Sequence, residues 1–254
     1  MSKIKKAFEK GKAFIAFITC GDPDLGTTAA AACAAAENGA DLIALGIPFS
    51  DPTAEGPVIQ GASLRALKGG VTTDEIFDFV KELRRDMTVP IVFMTYANII
   101  FSYGAQRFIS NCNDVGIDGL ILPDLPYEEK EEYLPLCRKY GVDLVSMVTP
   151  ASENRAAMIA KEADGFLYVV SGPDSRGSEV KKEFAAIVRV IKENTEVPCV
   201  IGADIAAPEQ AKEMADLSDG IIVDAAIVKL LEQYGQDAPE HIGAYVKSMK
   251  EALI

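Results

Sequence analysis

The chain has a single histidine, His241, and only five cysteines, Cys20, Cys33, Cys112, Cys137 and Cys199, among 254 residues. An odd cysteine set without paired spacing argues against a disulfide framework or a zinc site. One histidine, in a C-terminal amphipathic segment, leaves no Ser–His or Cys–His nucleophile system. Positive charge is also scarce: 25 Lys and Arg stand against 38 Asp and Glu, for a net charge of −13. The bases are interleaved with acids, so neither nucleic acid nor an anionic membrane surface is expected as a partner. No apolar run approaches the roughly 18 residues of a membrane span. The start, MSKIKKAFEKGKAFIAFITCGDP, places lysines before an apolar run, but that run is short, rich in strand formers and ends in a Gly-Asp-Pro turn, unlike a secretory leader. A cytoplasmic location is expected. No lysine occupies a predicted strand or its C-terminal end, which argues against a Schiff-base aldolase. No cofactor and no metal are expected.

What the chain does contain is ample core material, 49% hydrophobic, with no Pro- or Ser-rich linker. Short apolar runs recur every 20 to 30 residues: AFIAFIT from Ala13, DLIALG from Asp41, PIVFMTY from Pro90, GLILPD from Gly119, VDLVSMV from Val142, GFLYVVS from Gly165, PCVIGA from Pro198 and GIIVD from Gly220. Their near-continuous apolar character marks parallel strands buried on both faces. Helix signals fill the gaps, including a Thr72/Glu75 capping-box spacing, Ser152 before ENRAAMIAKEA, and Pro208 opening EQAKEMADL. Eight βα units predict one α/β domain over residues 1–254, a (β/α)8 TIM barrel with an extra N-terminal helix. A doubly wound open sheet is the rival. Barrel chemistry sits on the loops after the strand C-terminal ends, which directs attention to residues 17–22, 46–60, 96–103, 123–126, 149–151, 171–178, 202–205 and 224–226.

The stretches FITCGDPD, GADLIALGIPFSDPTAEGPVIQGASLRAL, FMTYANII and IVKLLEQYG resemble the tryptophan synthase alpha subunit family, and the likeness runs essentially end to end. The resemblance implies cleavage of indole-3-glycerol phosphate to indole and glyceraldehyde 3-phosphate, with indole passed to a beta-subunit partner. Such a step needs two carboxylates in different protonation states, one serving the glycerol side and the other the indole nitrogen. Phe17, Ile59, Met94, Tyr96 and Tyr168 fall on positions that line the family's indole pocket, so a small aromatic ligand is expected.

The chain departs from the family pattern at the carboxylates and at the phosphate loops. Ala44, in Leu-Ile-Ala-Leu-Gly, stands where the family carries Glu, and Glu55, in Ala-Glu-Gly-Pro, stands where it carries Asp. Three loops that would cradle phosphate are altered, at Ser171–Gly177, Gly202-Ala203-Asp204 and Asp224-Ala225. An aspartate beside a phosphate dianion repels it unless the aspartate serves only as a helix N-cap. Ala16 and Ala203, in place of Pro and Phe, are expected to enlarge the cavity. These departures predict an impaired native lyase and a pocket altered by divergence or by engineering. It would hold a non-phosphorylated aromatic ligand, with Glu55 and a buried Asp204 or Asp224 in catalysis. Asp124, Ser171 and Gly202 join the substrate-binding set. Two alternatives stand beside this one: a working lyase using Glu55, and a non-catalytic barrel that engages a beta subunit through its IPFSDP and YANIIF loops.

Overall fold

A computed structural model describes residues 3–149, 153–171 and 178–254. The strands β1 (Ala13–Thr19), β2 (Leu42–Gly46), β3 (Ile91–Met94), β4 (Gly119–Ile121), β5 (Asp143–Val148), β6 (Leu167–Val170), β7 (Cys199–Gly202) and β8 (Gly220–Val223) are all parallel. They close in sequence order, β8 pairing with β1, so the barrel and not the open sheet is formed.

Eleven α-helices complete the described architecture: α1 (Leu25–Glu37), α2 (Pro57–Lys68), α3 (Thr73–Leu83), α4 (Ala97–Tyr103), α5 (Ala105–Val115), α6 (Leu134–Tyr140), α7 (Glu153–Lys161), α8 (Ser178–Lys192), α9 (Pro208–Ala215), α10 (Ala225–Tyr234) and α11 (Ala238–Glu251). Local chemistry starts several of them. The Thr72 side chain accepts the Glu75 amide, and the Glu75 carboxylate accepts the Thr72 amide at 2.8 Å, the reciprocal cap expected from their spacing. Gly116 and Gly141 end α5 and α6 in the left-handed conformation that a Cβ would disfavour. Ser152 lies outside the described residues.

Strand alternation divides the apolar residues into two sets. Ile15, Phe17, Leu42, Ala44, Val92 and Tyr168 belong to the cluster inside the barrel. Phe14, Ala16, Ile18, Ile43, Leu45 and Phe93 belong to the cluster between the barrel and its helices. The alanine-rich helix α1 buries Ala31, Ala32 and Ala35 in that outer layer and packs on α11, where small side chains permit close approach.

Two sequence expectations need correction. The extra N-terminal helix is a six-residue 3-10 segment, Lys3–Phe8, because only Ile4 and Ala7 of its residues are buried, three apart, a spacing that suits a three-residue turn. Ile4 joins the inner cluster from below. Several strands are also shorter than their apolar runs. The third stops at Met94, for example, because Tyr96 already serves as the N-cap of α4.

Barrel closure depends on Gly220, which pairs with Ala13. A Cβ at Gly220 would lie 2.5 Å from the Ala13 carbonyl oxygen, a backbone atom with little room to move. Gly220→Ala is therefore expected to lose about 1–3 kcal/mol through overpacking. Urea unfolding checks this, and unchanged stability would refute the tight β8–β1 contact.

Candidate active site

The loop after β2 is fixed from several sides. The Ala54 amide donates to the Tyr96 hydroxyl at 3.1 Å, and the Gln60 side chain donates to the Glu55 carbonyl at 2.8 Å. Proline at the first position of α2 suits the helix start that follows. About two turns further, Arg65 makes two 2.8 Å hydrogen bonds to the buried carboxylate of Asp22, which follows β1, and one of 2.9 Å to Glu232 on α10. A planar guanidinium fits this bidentate role. The first loop, α2 and α10 are thereby tied together at the C-terminal mouth of the barrel.

The Glu55 side chain is half-buried, and burial followed by the charge of Asp224 pushes its carboxyl up to about 7. Its charge in turn acts on Tyr96, pushed up to about 12 mainly by burial, and on Tyr168, whose hydroxyl is held above its ordinary range. Asp224 follows β8 and extends the inward alternation from Ile222. Burial, with a smaller contribution from the Asp204 charge, raises its carboxyl, and the hydrogen bond from the Ala225 amide opposes the rise. Glu55, Asp224, Tyr96 and Tyr168 thus form one electrostatically coupled group. Ala44 lies fully buried below them among Phe17, Ile59 and Tyr168, with no polar side chain of its own.

The remaining predicted residues separate. Phe17, Ile59 and Tyr168 are buried in the inner cluster, and Met94 is half-buried against it. Tyr96 packs its ring 5.1 Å from that of Phe49. Gly202 is buried beneath the Tyr168 ring. Ser171 is half-buried, and residues 150–152 and 172–177 lie outside the described set.

Asp124 is exposed and accepts the Ala97 amide with both oxygens, at 2.9 and 3.1 Å, so it caps α4. Asp204 is exposed, which corrects the expectation of a buried base there. Nor does Asp204 cap α9, whose entry amides at Ala206 and Ala207 are taken by the Gln210 side chain at 2.9 and 3.1 Å. Asp224, by contrast, does cap α10. Ala16 and Ala203 pack in the outer layer, because alternation turns them away from the barrel interior, so neither enlarges the mouth.

Sequence reasoning passed over Thr19 and Thr95, whose buried hydroxyls have no hydrogen-bond partner. Their signal was a hydroxyl closing an apolar strand. Among the described residues there is no cluster of metal-ligating side chains and no helix long and apolar enough to cross a membrane.

Comparison with known proteins places this geometry among relatives. The family model "Tryptophan synthase alpha chain" matches residues 2–253. A tryptophan synthase alpha chain from Lacticaseibacillus casei is 46% identical over 255 residues, covering 100% of this chain and 96% of the relative. The solved structure of tryptophan synthase subunit alpha from Legionella pneumophila str. Paris superposes with a TM-score of 0.91 at 34% identity, covering 100% of this chain and 98% of that one. A chain of the tryptophan synthase complex from Pyrococcus furiosus gives 0.87 at 32% identity, covering 94% and 98%.

Proposed function

Because this chain belongs to the tryptophan synthase alpha chain family, we propose that it is a carbon–carbon lyase that releases indole from an indole-3-glycerol-type substrate, with Glu55 and Asp224 sharing the proton transfers. The observation that carries this reading is the coupled pair itself. Glu55, near 7, stands at the mouth within electrostatic reach of Tyr96, Tyr168 and the half-buried Asp224. A carboxylate so placed takes and returns a proton near neutrality.

In this reading ionised Glu55 takes the proton from the indole nitrogen while Asp224, acting in its acid form, protonates the ring carbon that bears the side chain. Asp224 then accepts the proton of the adjacent side-chain hydroxyl as the carbon–carbon bond breaks. The electron pair returns to the ring, Glu55 restores the nitrogen proton, and an aldehyde leaves. The register supports Asp224 in this role. Ala16 pairs with Val223 and Phe17 with Ala44, so Asp224 and Ala44 flank Phe17 from neighbouring strands. A carboxylate immediately after β8 thus stands near the level where β2 presents only a methyl group.

The contrary reading, in which the native step is lost, rests on Ala44, on Glu55 in place of Asp and on the altered phosphate loops. Indole release from indole-3-glycerol phosphate, measured with and without a beta subunit, decides between them. No release under either condition would overturn the lyase reading.

A beta subunit is the proposed partner. The IPFSDP and YANIIF segments meet through the Phe49–Tyr96 ring contact, and α4, aimed by Asp124, presents Phe101 with 72% of its surface exposed. An exposed aromatic of this kind suits an interface anchor. Phe101→Asp is expected to weaken a complex with a beta subunit about tenfold or more, by roughly 1.4 kcal/mol or more. Titration calorimetry reads this, and unchanged affinity would remove the assignment.

A further inference from the structure

Each of the two acids is fastened to the first turn of the helix that follows it. The Gln60 side chain of α2 donates to the Glu55 carbonyl at 2.8 Å, and the Ala225 amide of α10 donates to the Asp224 carboxylate. Moving either helix start therefore moves its acid. α2 opens on Gly56, which offers no side-chain cap, and it reaches the barrel interior through the apolar Ile59 and Ala62. α10 likewise buries Val228 in the same inner cluster. Apolar burial is non-directional, so it governs how deep a helix sits more than how it is turned about its axis.

Direction comes from Arg65, about two turns into α2. Its guanidinium spans three elements, with two hydrogen bonds of 2.8 Å to Asp22 after β1 and one of 2.9 Å to Glu232, about two turns into α10. Asp22, 1% exposed, is the fixed post, and its loop is pinned to β2 by the Cys20 amide, 2.9 Å from the Gly46 carbonyl. A planar fork fixes orientation as well as distance, which the single ammonium of a lysine cannot do for two carboxylates on different elements. We infer that Arg65 is a positioning residue: through Asp22 and Glu232 it sets where α2 and α10 begin, and so holds Glu55 and Asp224 at their working separation. The inference rests on the lyase reading for what the two acids do, and on the hydrogen bonds alone for how they are held.

Among the described residues, the charge of Asp224 acts on Glu55, Tyr96 and Tyr168 feel the charge of Glu55, and Asp204 acts on Asp224 in turn. Releasing α2 or α10 lets water reach Glu55 and separates it from Asp224. Both changes lower its carboxyl from about 7 towards the ordinary 4.5. Arg65→Lys keeps a cation for buried Asp22 but cannot grip both carboxylates, whereas Glu232→Ala cuts only the link to α10, at a side chain 56% exposed. The kcat for indole release is expected to fall about tenfold or more in Arg65→Lys and about threefold in Glu232→Ala, with KM within about threefold of the parent. The Glu55 midpoint, read by carbon-13 NMR of the labelled carboxyl and assigned by its absence in Glu55→Gln, is expected to fall by about one pH unit in Arg65→Lys. A merely structural bridge would lower Tm and leave that midpoint in place. An unmoved midpoint in Arg65→Lys, or parental kcat beside a moved one, would overturn the inference. A midpoint that moves in a protein releasing no indole would support the positioning while sinking the lyase reading.

Discussion

Glu55→Gln is expected to lower kcat/KM for indole release by about 10²- to 10⁴-fold, the usual contribution of a positioned acid–base group. Glutamine preserves shape and polarity but carries no transferable proton. The pH profile identifies the role. Glu55 must be ionised to take the ring proton, and its carboxyl lies at about 7. Activity of the parent protein should therefore rise about tenfold per pH unit below about 7 and level off above it. The rising limb comes from depopulation of the acid form, so it should vanish in Glu55→Gln. A variant within threefold of the parent, or one with the limb intact, would remove Glu55 from the chemistry.

The second large effect lies at the opposite end of the barrel. Asp118, 8% exposed, stands immediately before β4 and accepts the Ile91 amide at 2.9 Å along with a contact from Arg84. Arg84 also donates to the Gly116 carbonyl at 2.6 and 2.8 Å and to the Val89 carbonyl at 2.6 Å. Burial lowers its guanidinium, and the Asp118 charge opposes this. One network thus joins the end of α3, the entry to β3 and the entry to β4.

Asp118→Ala would leave the half-buried Arg84 cation without its counter-charge and the Ile91 amide without its acceptor. The expected loss is about 3–5 kcal/mol, since the cost of the unpaired charge outweighs the net worth of the pair. For a chain of this size that corresponds to a fall in Tm of roughly 6–20 °C. Asp118→Asn retains an acceptor for Ile91 and should recover part of the loss. Differential scanning calorimetry tests both variants. A fall below about 2 °C in Asp118→Ala would show that the network contributes little. Indole release by the folded variant should be unchanged, because Asp118 lies at the N-terminal end of its strand.

Local signals were most legible where a few neighbouring residues settle the matter. The Thr72–Glu75 cap, the left-handed glycines after α5 and α6, and the buried AFIAFIT strand each follow from short-range chemistry. Phe17 and Tyr168 were legible as interior residues because strand alternation and resemblance agree on them, and Ile59, on α2, through the resemblance. The errors came where direction matters. Ala16 and Ala203 sit on strands or loops at the right level but face outward, since a shift of one residue changes the side of a strand. Asp124 and Asp224 both resemble acids in a mouth. One caps an exposed helix start, whereas the other caps a helix and is half-buried within electrostatic reach of Glu55.

Taken alone, the amino-acid sequence determined eight βα units with buried parallel strands, because apolar periodicity and turn chemistry act over short stretches of chain. It also determined that β2 carries a methyl group at Ala44 in place of a carboxylate. Which remaining acids share an electrostatic environment was decided only by the tertiary structure. Glu55 and Asp224 lie far apart in the chain and come within electrostatic reach of one another because the barrel closes β8 against β1. Burial at that meeting point, which no local pattern encodes, brings the Glu55 carboxyl to about 7.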